Sequence, residues 1–99
     1  MISAQAKYAL RALIELAALP EGKSMLTAEI AERQKIPKKF LEQILLTLKR
    51  AGLVQSRRGA QGGYGLLKPA GDISFAQVLR LIDGPIAPLP LSAEVNSAS

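Results

Sequence analysis

The fold is decided by residues 36–66, IPKKFLEQILLTLKRAGLVQSRRGAQGGYGL, because the hydrophobic period changes midway through them. The first half repeats apolar residues at helical spacing, at Phe40, Leu41, Ile44, Leu45 and Leu48. Pro37 suits the first turn of such a helix. Gly52 suits the left-handed residue after the last turn, and Leu53 can make the accompanying hydrophobic contact. These signals predict a helix over residues 37–51.

The second half predicts a β-hairpin with a glycine-rich tip. Its strand candidates are residues 53–56 and 64–67, and Gly59, Gly62 and Gly63 lie between them. Arg57 and Arg58 stand at the mouth of the hairpin, and arginine is drawn to the negative potential of a narrow minor groove. Glycine amides can bond phosphate without obstruction by a side chain. A flexible turn is the alternative; a nucleotide-phosphate loop would need a Gly-Lys-Ser/Thr ending and a following helix.

Two further helices are predicted upstream. The first spans about residues 3–19, with Lys7, Arg11 and Glu15 in a row on its polar face. Its apolar face consists of Ala6, Ala9, Leu10, Leu13, Leu16 and Ala17. The second begins after Thr27 as N-cap and ends near Gln34. A turn of about three residues then leads to the helix 37–51, which is the spacing of a helix-turn-helix.

A fourth helix is predicted downstream, from a capping Ser74 with Gln77 at the reciprocal position to Gly84. Residues 85–99 contain three prolines within six residues, followed by small or polar side chains, and predict a Pro-rich flexible tail or a truncated linker to a dimerisation helix. The predicted fold class is therefore mainly α with a small β-hairpin, a winged helix-turn-helix over residues 1–84.

The composition excludes most catalytic chemistry. The 99 residues contain no cysteine and no histidine, so they offer no thiolate or imidazole as ligand, nucleophile or base. We predict that the chain is not an enzyme and holds no metal or other cofactor. The apolar residues 9–19 are interrupted by charge and too short to span a bilayer, and no signal peptide is recognisable. A cytoplasmic protein without a membrane partner is expected.

Positive charge is concentrated in one segment. The whole chain has a net charge of +5, whereas residues 35–68 hold eight lysines and arginines against one acid, Glu42, for a net charge of +7. The remaining residues therefore sum to −2. A basic block within one folded segment is expected for a protein that binds a polyanion, most commonly through phosphate. An acidic membrane surface is the main alternative.

The apolar stripe of helix 37–51 leaves four side chains facing outward near its start: Lys38, Lys39, Glu42 and Gln43. In a major groove, Gln43 can pair with adenine, Glu42 can accept from the cytosine amino group, and either lysine can reach guanine or phosphate. A solvated helix face with Lys39 and Gln43 as a side-chain pair explains each residue alone about as well.

Three segments resemble the bacterial winged-helix regulators that include the iron-sulfur cluster regulator and the cysteine-metabolism repressor. They are YALRALIELA (residues 8–17), the stretch 36–66 and ISFAQVLRLIDGP (residues 73–85), and the resemblance runs from residue 2 to about 90. It implies promoter binding as a homodimer. It also implies that the helix-start residues Lys38, Lys39, Glu42 and Gln43 read bases and that Arg57, Arg58 and Gln61 lie on the wing.

This sequence departs from that family pattern in two respects. Many members carry three cysteines after the fourth helix that hold an iron-sulfur cluster, whereas residues 89–99 contain none, so no cluster is expected to bind as in those members. Members also continue into a long C-terminal helix that makes most of the dimer, and this sequence reaches only Ser99.

We therefore predict sequence-specific binding to double-stranded DNA and regulation of transcription, by occluding or recruiting polymerase. Helix 37–51 would enter the major groove, the Arg-Gly wing at residues 56–65 the adjacent minor groove, and Arg11 would contact a phosphate. The alternative is a protein-interaction module whose basic winged-helix face docks an acidic partner. RNA binding is weaker, because an A-form major groove does not admit the helix.

Overall fold

The computed structural model describes residues 2–57 and 63–84, which contain four α-helices, a two-stranded antiparallel sheet and a short 3₁₀ helix at Ala70–Asp72. The elements are α1 (Ala4–Ala17), α2 (Thr27–Gln34), α3 (Lys38–Arg50), β1 (Val54–Ser56), β2 (Tyr64–Leu66) and α4 (Phe75–Asp83). This order confirms the predicted mainly α fold with a small hairpin. Four predicted site residues, Arg58, Gly59, Gln61 and Gly62, lie outside the described residues, as does the predicted tail at 85–99.

One apolar core joins the helices to the hairpin. Its buried residues are Ala9, Ala12, Leu13, Leu16, Ile30, Ile36, Leu41, Ile44, Leu45, Leu48, Leu53, Val54 and Val78. Two residues predicted to face this core do not. Ala17, at the last turn of α1, is exposed, and 46% of Phe40 is exposed. Phe40 directly precedes buried Leu41, and adjacent helical residues are about 100° apart, so it falls beside the buried stripe rather than in it.

The turn between α2 and α3 depends on a left-handed lysine. Lys35 has φ 56° and ψ 47°, a conformation in which a Cβ is unfavourable. The next N–H, of Ile36, donates to the Ala31 carbonyl at 2.9 Å, and the Ile36 side chain is buried. Pro37 was predicted as the first helical residue; it is the N-cap of α3 instead, and its carbonyl accepts from the Leu41 N–H at 3.0 Å. The helix therefore begins one residue later than predicted.

The start of α2 is set by a long-range backbone contact. The N–H groups of Met25 and Tyr64 each donate to the other's carbonyl at 2.9 Å, which adds a one-residue bridge to the hairpin. This contact holds the chain extended up to Leu26, which becomes the N-cap, and Thr27 is the first helical residue. The predicted Thr27 cap is therefore wrong. Gly63 has φ 106°, and a Cβ there would lie 2.6 Å from the Met25 carbonyl oxygen, so the bridge requires glycine.

The predicted left-handed Gly52 after α3 and the predicted Ser74 cap of α4 are confirmed. Gly52 follows α3 with φ 82°, and the Leu53 N–H donates to the Leu48 carbonyl at 3.0 Å, as in a Schellman motif. At α4 the Ser74 hydroxyl accepts from the Gln77 N–H at 3.0 Å. Each hairpin strand is one residue shorter than predicted, with Gln55 opposite Gly65 in the register.

Candidate nucleic-acid interface

The start of α3 presents the four predicted helix residues, Lys38, Lys39, Glu42 and Gln43, all of them exposed. The first turn of α3 contains no acidic residue. Its two lysines therefore stand beside the positive end of the helix dipole, where a cation is locally unfavourable. An approaching anion would relieve this repulsion and could also bond the free N–H groups of the first turn.

A groove of about 400 Å³ runs between the start of α3, the start of α2 and the base of the hairpin. It is lined by Leu26, Thr27, Ala28, Lys38, Glu42, Ser56, Arg57, Gly63 and Tyr64. The structure thus brings together three predicted site residues, Lys38 and Glu42 from the helix and Arg57 from the hairpin. We call this the reading groove.

The other two predicted helix residues lie elsewhere on α3. Gln43 lines a smaller cavity, of about 110 Å³, with Phe40 and Thr47 of its own helix and apolar residues of α4. Lys39 lines neither of these two cavities. Glu42 and Gln43 therefore flank the exposed ridge of α3, with Glu42 towards the hairpin and Gln43 towards α4.

Arg57 is placed at the base of the hairpin with its side chain partly turned inward. Its backbone N–H donates to the Gly63 carbonyl at 2.8 Å, which continues the hairpin ladder one residue past β1. Its Nε is buried and has no hydrogen-bond acceptor among the described residues. Arg57 therefore lies at the hairpin mouth as predicted, but part of its side chain, including Nε, is packed inside.

Arg11 is exposed on α1, one turn before Glu15. The Glu15 carboxylate accepts from Arg33 Nε at 2.9 Å and from the Gln34 side-chain amide, so it ties α1 to the last turn of α2. These two hydrogen bonds hold the pKa of Glu15 below its ordinary value, and the bond from Gln34 has the larger effect. The helix that carries Arg11 is thereby fixed to the helix-turn-helix.

Sequence reasoning missed three residues at the start of α2 that line the reading groove: Leu26, Thr27 and Ala28. Thr27 was interpreted only as a cap, whereas Ser56 and Tyr64, which line the groove from the hairpin, belong to the predicted wing at residues 56–65. The three missed residues reach the groove because Met25 pairs with Tyr64 and brings the start of α2 to the hairpin. The sequence gives only a weak signal for that pairing, because the bridge involves a single residue, Met25, and not a strand with alternating apolar residues.

A helix-turn-helix followed by a hairpin that lies beside the start of the second helix defines a winged helix-turn-helix protein. The particular family is shown by sequence: the chain belongs to the Rrf2 family, described as iron-dependent transcriptional regulators, whose model matches residues 2–98. An Rrf2-like HTH-type transcriptional regulator of Rhodobacter capsulatus is 55% identical over 93 residues, which are 91% of this chain and 62% of that protein.

Two solved structures have the same fold. CymR, the global cysteine regulator of Bacillus subtilis, superposes with a TM-score of 0.83 at 34% identity, over 95% of this chain and 73% of CymR. IscR of T. potens superposes with a TM-score of 0.77 at 37% identity, over 82% of this chain and 59% of IscR. These matches confirm the predicted winged-helix family. The chain spans about 53–62% of the length of the first curated relatives it matches.

The iron in the family description does not fit these 99 residues. They contain no cysteine and no histidine, and the described residues contain no group of three acidic side chains that could hold a metal ion. An iron-sulfur cluster held by thiolates therefore has no ligands here.

Within residues 2–57 and 63–84, no helix is long and apolar enough to cross a membrane.

Proposed function

We propose that this chain binds double-stranded DNA in a sequence-specific manner and regulates transcription. The observation that carries the proposal is the reading groove, in which Lys38 and Glu42 of α3 face the hairpin base across a gap of about 400 Å³. A helix start exposed beside a projecting hairpin can enter a major groove while the hairpin follows the adjacent minor groove. The relatives named as HTH-type transcriptional regulators support this function.

The proposed contacts fall into three groups. Glu42 and Gln43 read base edges, with Lys38 and Lys39 on guanine or phosphate. Arg57 and the tip residues Arg58, Gly59, Gln61 and Gly62 form the wing contact in the minor groove. Arg11 contacts a phosphate from α1 and fixes orientation rather than sequence.

We further propose that the protein works as a homodimer in the cytoplasm, without catalytic activity and without a cofactor in these residues. Two protomers on one duplex would place their half-sites about one helical turn, roughly 34 Å, apart or a multiple of it. The nature of the relatives supports a binding protein rather than an enzyme, since those reported above are named as regulators.

Selection of bound sequences from a random duplex pool tests the proposal directly. A labelled duplex carrying the selected site should stay bound in excess competitor DNA, whereas a scrambled duplex of equal length should be displaced. Equal displacement of both duplexes would contradict sequence-specific binding and favour a generic acidic partner for the basic face. The symmetry of the selected site would report the number of protomers bound.

The wing assignment has its own test. If Arg57 and Arg58 each neutralise one phosphate, replacing either by glutamine should reduce the slope of log affinity against log salt by about one. Unchanged slopes in both variants would remove the wing from the proposed interface.

A further inference from the structure

A third cavity, of about 490 Å³, lies on the other face of the hairpin from the reading groove. Its walls come from the end of α1, the loop that follows it, the hairpin and the segment after β2. They are formed by Leu16, Ala17, Leu19, Pro20, Glu21, Gly22, Lys23, Gln55, Arg57, Leu66, Leu67, Lys68, Pro69 and Ala70. Adjacent strand residues point to opposite faces, so Ser56 lines the reading groove while Gln55 lines this rear cavity.

The polar lining of the rear cavity is mainly cationic. Lys23, Arg57 and Lys68 contribute three positive charges against the single carboxylate of Glu21. Gln55 adds a side-chain amide, which donates to the Leu66 carbonyl at 3.4 Å and is thereby held at the cavity wall. The site therefore carries an excess of positive charge and of hydrogen-bond donors.

The buried Nε of Arg57 is the distinguishing feature of this site. It is the one buried side-chain nitrogen or oxygen in the described part of the chain that lacks a hydrogen-bond partner. Arg57 Nε and the Lys23 carbonyl oxygen lie 2.8 Å and 2.9 Å from the point where a Cβ on Gly65 would stand, so glycine makes room for the side chain. Because Nε is packed against Gly65, it fixes the direction of the guanidinium and is not itself open to a ligand.

We propose that the rear cavity binds a small anionic ligand that carries a phosphate group or several carboxylates. The Arg57 guanidinium, which lines the cavity, donates to an oxygen of the ligand, and Lys23 and Lys68 neutralise the remaining charge. The volume is larger than a single phosphate needs, which fits a phosphorylated or polycarboxylate metabolite. Since Arg57 also lines the reading groove, an occupied rear cavity holds that side chain away from DNA.

The binding step does not depend on the proposed DNA function, so it is tested without DNA. The ¹⁵N-labelled chain is titrated separately with inorganic phosphate and with citrate, and amide shifts are followed by NMR. Saturable shifts are expected at Lys23, Gln55 and Lys68. Arg57→Gln should weaken binding about 10- to 100-fold, the usual value of a charge-assisted hydrogen bond. Lys68→Gln should weaken it less, and Lys49→Gln, which removes an equal charge from the end of α3, should leave it unchanged.

Three outcomes would overturn the proposal. Shifts that grow linearly without saturating, or equal affinities for Arg57→Gln and Lys49→Gln, would show that the anions respond only to the overall charge. The third is seen after adding a duplex: if the duplex alone reproduces the phosphate-induced shifts at Lys23 and Lys68, the oxyanion belongs to the DNA backbone and not to a free ligand. Failure of DNA binding with intact phosphate binding would contradict the proposed function alone.

Discussion

Glu15 is the residue through which α1 holds the helix-turn-helix in place. Its side chain is 11% exposed, and its carboxylate accepts from both Arg33 and Gln34 at the end of α2. The paired Arg33 side chain is 58% exposed, so the ion pair is partly screened by solvent. The pair orients α2 against α1, and α2 in turn carries the turn that leads into α3.

This arrangement predicts a pH-dependent contribution to stability. Because the pKa of Glu15 is lowered by folding, its stabilisation is complete above the unfolded pKa and is lost as pH falls through the folded pKa. Glu15→Gln should therefore be less stable than the wild type at about pH 7, and the difference should shrink towards about pH 3. Urea unfolding of both proteins across this pH range measures the difference in unfolding free energy. Glu32→Gln, at an exposed residue of α2, should have the same stability as the wild type at each pH. A stability difference between Glu15→Gln and the wild type that does not change with pH would contradict the role assigned to Glu15.

Gly63 cannot be replaced by a residue with a Cβ without strain. Its φ of 106° is unfavourable for an L side chain, and a Cβ would overlap the Met25 backbone at 2.6 Å. Gly63→Ala should lower the free energy of unfolding by about 2 kcal/mol or more, because strained backbone and steric overlap add. Gly71→Ala is the matched control, since a Cβ there meets nothing within 4 Å and its effect should stay near zero or slightly stabilise. Equal unfolding midpoints for the two variants would show that the Met25 bridge is dispensable.

Both helices of the helix-turn-helix are followed by a residue in the left-handed conformation, but the two residues are of different types. α2 ends at the left-handed Lys35 and α3 ends at the left-handed Gly52, with φ values of 56° and 82°. Lys35→Gly should stabilise the fold by about 0.5–1 kcal/mol, the left-handed cost less the extra chain entropy of glycine. Gly52→Ala should destabilise it by about 1 kcal/mol. Chemical denaturation should give changes in unfolding free energy of opposite sign for these two variants. Lys35→Ala removes an exposed side chain but keeps the Cβ, so it should be nearly neutral.

The elements also show which parts of the fold the sequence could predict. Ser74 and Gly52 act through bonds within a few residues, so their motifs are readable from local sequence, and both were confirmed. Thr27 was misinterpreted because the start of α2 is fixed by Tyr64, far along the chain. Lys35 gives no signal, since its side chain does not favour the conformation it adopts. For the candidate site, pattern alone indicated Lys38 and Glu42, but the inward turn of Arg57 follows from packing against Gly65.

Across the whole molecule, the two hairpin faces have different partners in our proposals. The reading groove faces DNA with Lys38 and Glu42, and the rear cavity faces a small anion with Lys23 and Lys68. Arg57 lines both, so it links them physically. A protein whose 99 residues lack thiolate and imidazole ligands would then still have a route by which a small molecule changes DNA affinity.

The placement of charge along α3 predicts which lysines DNA binding depends on. Lys38 and Lys49 belong to the same basic block, but eleven helical residues place them about 16 Å apart, beyond the screening length of about 10 Å at 0.1 M salt. Lys38→Gln should weaken binding to all duplexes and lower the salt slope by about 0.9, because one phosphate contact is lost. Lys49→Gln removes the same charge and should leave the slope nearly unchanged. Affinities measured by fluorescence anisotropy across a series of salt concentrations decide this, and equal slopes for the two variants would mean that DNA responds to net charge rather than to the start of α3.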